Sequence, residues 1–172
     1  GVFGDVVGQN PVVPWSALQA LAPPVNDSGT WFIRVAARYA DGTLGDSPVA
    51  TVSILNVAPT AVLAQAGTAA EGSDAVVTFG GQADASNADF AAGFFYSFDL
   101  DNDGIFDISG STSASAVVPA ALLPDHGTYT VRGRIEDKDG GFTTYTVAVA
   151  VTNVPPTLAL EGGDEAVEGV PY

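Results

Sequence analysis

The stretch 27–58 is written a second time at 125–155, and this internal repeat constrains the fold more than any other feature. Asp27-Ser28-Gly29-Thr30-Trp31, Arg34, Asp41-Gly42 and Asn56-Val57-Ala58-Pro59 recur as Asp125-His126-Gly127-Thr128-Tyr129, Arg132, Asp139-Gly140 and Asn153-Val154-Pro155-Pro156. Gly29 and Gly127 are 98 positions apart, and Asn56 and Asn153 are 97 apart. A period of that length is one small domain copied, and arrays of copied domains build length rather than chemistry. Glu71-Gly72 recurs as Glu168-Gly169, and Gly1-Val2-Phe3 resembles Gly104-Ile105-Phe106. These spacings predict three parts: the C-terminal part of one module at 1–58, a complete module at 59–155, and the start of a third at 156–172. Together with the absence of Met, they suggest a piece of a longer polypeptide.

The hydrophobic period is two. Tyr129, Val131, Gly133 and Ile135 alternate with Thr128, Thr130, Arg132, Arg134 and Glu136, the pattern of a half-buried antiparallel strand. After the Asp- and Gly-rich turn 137–141, Tyr145, Val147, Val149 and Val151 repeat the alternation. The first copy does the same with Trp31, Ile33, Val35 and Ala37, then Val52 and Ile54. Further strands are expected near 60–66, 75–80, 94–99 and 114–118, with single helical turns near Ala17–Leu21 and Ala120–Leu123. Seven or so short strands in one repeat predict an all-β fold, tandem immunoglobulin-like antiparallel β-sandwiches. Asp125-x-Gly127-x-Tyr129 stands where such a sandwich carries its tyrosine corner, a hydroxyl bonded back to loop backbone. In the first copy Trp31 takes that place, and its ring N–H could serve instead.

Composition narrows the partners. Twenty acidic residues against five Lys and Arg give a formal net charge of −15, which repels nucleic acid and anionic membrane surfaces. No apolar run approaches the ~20 residues of a membrane-spanning helix. There is no Cys, so burial alone must hold the sheets together. An acidic, Cys-free chain of this kind suits, by association, a bacterial extracellular repeat protein.

Gly127-Thr128-Tyr129-Thr130-Val131, the turn Asp137-Lys138-Asp139-Gly140-Gly141 and the linker Asn153-Val154-Pro155-Pro156 together resemble the polycystic-kidney-disease (PKD) type of immunoglobulin-like module. Tyr96-Ser97-Phe98-Asp99 is similar to that family's aromatic W-D-F strand, with the Trp replaced. The resemblance covers 59–155 well and 14–58 in part. It implies spacers, adhesive repeats or accessory modules of secreted hydrolases.

One run carries metal chemistry. Asp99, Asp101, Asp103 and Asp107 follow D-x-D-x-D-G-x-x-D, the first nine positions of an EF-hand-like loop. The alternating carboxylates would converge on Ca2+, Gly104 would allow the sharp turn, and Ile105 would offer its carbonyl. Gly110 stands where the closing bidentate Glu belongs, so another loop must complete the site, and Glu71 is the candidate. The competing reading is a solvated Asp-rich turn. The second acidic turn, Asp137-x-Asp139-Gly140, should face the preceding module and could share a cation with it.

Elsewhere the chemistry is sparse. His126 is the only His and lies in a loop, where it is expected to be a turn residue. No hydrolase, zinc-protease, P-loop or dinucleotide motif is present. Trp15, Phe94, Phe95, Tyr96 and Phe98 could form a carbohydrate platform, but alternation places Phe94, Tyr96 and Phe98 on one face, as core residues would be. The expectation is a non-catalytic structural or adhesive repeat of an extracellular surface protein or fibre. Its partners would be neighbouring modules of the same chain, and other copies or surface ligands. The alternative is an accessory carbohydrate- or protein-binding module of a secreted hydrolase.

Overall fold

The computed structural model describes residues 12–21, 24–34, 36–46, 48–159, 161 and 168–169. The similarity of Gly1–Phe3 to 104–106, the placement of Val35 and most of the third copy lie outside the described residues.

Alternation becomes two packed sheets. Strand β5 (Thr60–Gln65) pairs antiparallel with β7 (Ala75–Ala83), which pairs with β10 (Ser115–Val118). The second sheet runs β6 (Ala69–Ala70), β12 (Phe142–Thr152), β11 (Gly127–Glu136), β8 (Phe95–Asp99) and β9 (Ile108–Ser111). The chain leaves the first sheet after β5 and joins the second through β6, which pairs parallel with β12. This crossing couples the layers without a disulfide, and the result is an all-β, immunoglobulin-like antiparallel sandwich.

The core is what the period-two pattern requires. Leu63, Val77, Phe79, Tyr96, Phe98, Val118, Leu123, Val131, Ile135 and Val149 are buried between the sheets. Phe79 is the hub, its ring centroid 5.4 Å from that of Tyr96, 5.7 Å from Phe98 and 5.9 Å from Tyr145. Gly133 is required by this close approach, because a Cβ there would lie 2.8 Å from Phe79 and 2.9 Å from Leu63. The tyrosine corner is present: Tyr129 Oη donates to the Asp125 carbonyl at 2.9 Å and accepts from the Asp125 N–H at 3.2 Å.

The first copy folds its matching hairpin in the matching register. Strand β1 (Gly29–Ile33) pairs with β4 (Ala50–Ile54) so that Gly29 opposes Ile54, as Gly127 opposes Val151. A second ladder joins β2 (Ala36–Arg38) to β3 (Leu44–Asp46), and α1 (Trp15–Gln19) precedes them. No facing sheet covers β1 and β4 among the described residues. Ile33 and Val52, on the face that alternation assigns to the core, are accordingly each about two-fifths exposed. Trp31 does not replace the tyrosine corner: its Nε1 is buried without a hydrogen-bond partner. The six-residue helix α2 (Asn87–Ala92), placed between β7 and β8, is not signalled by hydrophobic periodicity.

Candidate metal centres in two acidic loops

The 99–107 loop grows from the end of β8. Alternation there would leave Ser97 and Asp99 on the outer face, yet both are buried, Asp99 completely. Arg132 of the neighbouring β11 accounts for Asp99, its guanidinium lying 3.0 Å from Oδ2, and Ser97 Oγ accepts from the Gly110 N–H at 3.2 Å. Arg132 and Arg134 both lie over the Phe106 ring, at 4.9 and 5.1 Å from its centre. The loop therefore closes over a pair of guanidinium groups.

Its carboxylates are largely occupied by its own backbone. Asp99 accepts from the N–H groups of Asp103 and Gly104 at 3.1 and 3.0 Å. Asp101 accepts from Asp103 N–H, Asp103 from Ile105 N–H, and Asp107 from Leu100 N–H at 2.7 Å. Asn102 (φ 59°) and Gly104 (φ 101°) take left-handed conformations that let the chain double back. The turn brings oxygens of Asp99, Asp101 and Asp107 within 4.8 Å of one another. Asp103 is not in that set, and the Ile105 side chain is 72% exposed. Glu71 is grouped elsewhere, with Asp125 and His126. Its Oε1 accepts from Val154 N–H at 2.9 Å, and its Oε2 lies 3.8 Å from His126 Nδ1. The lone His is thus a surface turn residue held by Asp125 at 2.8 Å.

The second acidic region joins the two copies. Ser86 caps α2, its hydroxyl accepting from Asp89 N–H at 3.2 Å and donating to the Asn26 carbonyl at 2.8 Å. In a capping box the third helical residue returns the bond to the cap's N–H. Here Asp84 Oδ1 takes the Ser86 N–H instead, at 2.7 Å, which leaves the Asp89 carboxylate free to turn inward. It meets Asp84 and Asp137, with oxygens of the three within 4.8 Å. Asp89 and Asp137 are almost wholly buried.

Asp137 is fully engaged. Its Oδ1 accepts from the N–H groups of Asp139 and Gly141, both at 2.9 Å, and its Oδ2 accepts from Asn56 Nδ2 at 2.8 Å. Lys138 points back to the first copy, donating to Asp27 at 2.6 Å and to Asp139 at 2.8 Å. Ser28 Oγ also donates to Asp139 at 3.0 Å. The ammonium stands 2.9 Å from Asp89 Oδ1 as an ion pair but is not aligned as a hydrogen bond, so neither Asp89 oxygen accepts one. Asp84 Oδ2 is likewise buried without a donor.

The electrostatics follow. Hydrogen bonds to Asp139 and Asp27, with the ion pair to Asp89, hold the Lys138 ammonium well above the usual lysine range. Burial pushes the Asp84 carboxyl up; the Ser86 N–H opposes this, and the charges of Asp89 and Asp137 add to it. Two carboxylates about 5 Å apart repel by roughly 3 kcal/mol at an effective dielectric of ~20. One ammonium does not offset three such contacts. Asp84 and Asp89 escaped sequence reasoning because one precedes and the other lies within an unforeseen helix. The signal was present, since Ser86-x-x-Asp89 has a capping-box spacing.

Tyr96 and Phe98 lie in the core and do not offer a carbohydrate platform. No described helix is long and apolar enough to cross a membrane. No known family model matches the chain, and no curated protein matches it. Several solved structures do, among them the crystal structure of the human desmocollin-1 ectodomain, at 20% identity and a TM-score of 0.37. That match covers 76% of this chain and 24% of the ectodomain, so the chain spans about a quarter of that protein's length.

Proposed function

We propose that this chain is a non-catalytic structural or adhesive repeat of a bacterial extracellular surface protein or fibre, of PKD type and stabilised by calcium. The observation that carries the reading is the set of side-chain bonds between the copies. Lys138 to Asp27, Ser28 to Asp139, Asn56 to Asp137 and Ser86 to the Asn26 carbonyl fasten one copy's hairpin to the next copy's sandwich. A linker that only tethered would leave these groups to water. Pro59, buried where the linker enters β5, limits flexing further. Such an array transmits position and load from copy to copy. In the 99–107 loop, bound Ca2+ would draw on Asp99, Asp101 and Asp107 and stiffen the β8–β9 connection.

Thermal unfolding tests the calcium part. Millimolar CaCl2 is expected to raise the midpoint and EDTA to lower it, with the 99–107 share of the response lost in Asp101→Ala with Asp103→Ala. A wild-type midpoint indifferent to calcium and EDTA would overturn calcium stabilisation. Small-angle scattering tests the array: a junction fixed by these bonds gives one interdomain angle, whereas a flexible tether gives a broad distribution.

A further inference from the structure

We infer that Asp84, Asp89 and Asp137 form a divalent-cation site at the junction between the copies, separate from the 99–107 loop. Crowded carboxylates alone would not establish this, since acidic turns are common on an acidic surface. The deciding observation is Asp89, fully buried, with an oxygen within 4.8 Å of oxygens of Asp84 and Asp137, and accepting no hydrogen bond at either oxygen. Asp84 Oδ2 faces the same deficit. Buried polar groups are normally satisfied, and a buried carboxylate without donors is among the costliest exceptions.

Lys138 does not close the gap. An ammonium has three N–H donors, and this one spends two on Asp27 and Asp139. Its remaining contact is an ion pair to one Asp89 oxygen. Among the described residues neither Asp84 nor Asp137 has an ion-pair partner, and Asp89 has only Lys138. Oxygens of the three already lie within 4.8 Å of one another, which is the span of two bonds of about 2.4 Å across a calcium ion. All three are hard carboxylate oxygens, the donor type Ca2+ prefers. Asn56, hydrogen-bonded to Asp137, carries the ion's influence into the linker.

A cation here would do what the 99–107 loop cannot. It would clamp α2, the β11–β12 turn and the linker from the first copy to one centre, stiffening the joint between copies. The proposal goes beyond the calcium-stabilised array and can fail independently of it.

Amide NMR on the intact chain during CaCl2 titration reads the site without a variant. Saturable shifts at Ser86, Asp89, Asp139 and Gly141 are expected, with a Kd of about 10−3 M or tighter, as in extracellular modules. Shifts confined to 100–107, or no shifts, would overturn the inference. Calorimetry with calcium then assigns the ligands. Asp84→Asn with Asp89→Asn should lose one bound ion, and Asp101→Asn with Asp103→Asn should keep it. Unchanged stoichiometry and affinity in the first variant would overturn the assignment. Lys138→Gln should bind calcium more tightly, because a competing positive charge is removed.

Discussion

The 99–107 loop and the junction around Asp89 hold similar numbers of carboxylates and solve the same repulsion differently. In the loop, each Asp is spent on the loop's own N–H groups, and the buried one, Asp99, faces a guanidinium at 3.0 Å. In the junction, Asp137 is satisfied by the β11–β12 turn and Asn56, but Asp89 accepts no hydrogen bond, and its ammonium is shared with two other carboxylates. The loop has the sequence of a calcium site, yet it comes to rest with protein donors. The junction has no such signature and is left short of positive charge. Density of Asp along a sequence is therefore a poor measure of the demand for a cation. What counts is how many donors the fold supplies to each buried oxygen.

The contrast can be broken most strongly at Arg132. Arg132→Met removes the only ion-pair partner of a fully buried Asp99 among the described residues. In EDTA this should cost about 3–5 kcal/mol, the usual penalty for orphaning a buried charge, measured by urea unfolding. In calcium the loss should shrink, because an ion can take the arginine's place. Equal losses in both buffers would mean that the loop holds no cation.

Gly141 offers a smaller handle on the junction. A Cβ there would sit 2.5 Å from both Asn56 Nδ2 and Asp137 Oδ2, and 3.2 Å from the Ala58 backbone. Gly141→Ala should cost about 1–3 kcal/mol, as overpacking does, and should broaden the interdomain distribution in small-angle scattering. The amide shifts of the 99–107 loop should stay as in wild type. A change there would show that the two regions are coupled.

The smallest effect is a stabilisation. The folded Asp84 carboxyl is raised above its ordinary value of 3.8, so the folded chain holds that proton more tightly than the unfolded one. Its contribution is present below 3.8 and is lost as pH rises through the raised value. In cation-free buffer at neutral pH, Asp84→Asn should raise the melting midpoint by a few degrees, and the gain should fade as the solution is acidified below the ordinary carboxylate range. In calcium the same substitution should lower the midpoint. A destabilised Asp84→Asn in EDTA would sink the picture of an under-compensated junction.

The strands were legible because each side chain's exposure follows its parity. The even-numbered positions from Thr128 to Glu136 and from Thr144 to Ala150 face outward, and the odd-numbered ones between them face the core. The tyrosine corner was legible too, because one hydroxyl reaching back four residues is a local event. Parity failed where neighbouring segments covered the outer face, as Arg132 does over Asp99 and as Gly110, donating its N–H, does at Ser97. It also failed in the first copy, where alternation without a facing sheet leaves Ile33 and Val52 exposed. The short strand β6 and helix α2 carry too few residues for any period to register.

The repeat by itself determined the hairpin, its register and the recurring Asp, Gly and Asn positions, because these depend on turns and on alternation within some thirty residues. Only the tertiary structure decided which carboxylates meet. Asp84, Asp89 and Asp137 come from a strand's end, a short helix and a turn as much as 53 positions apart. Whether a buried oxygen finds a donor depends on what packs against it in space, and spacing along the chain does not encode that.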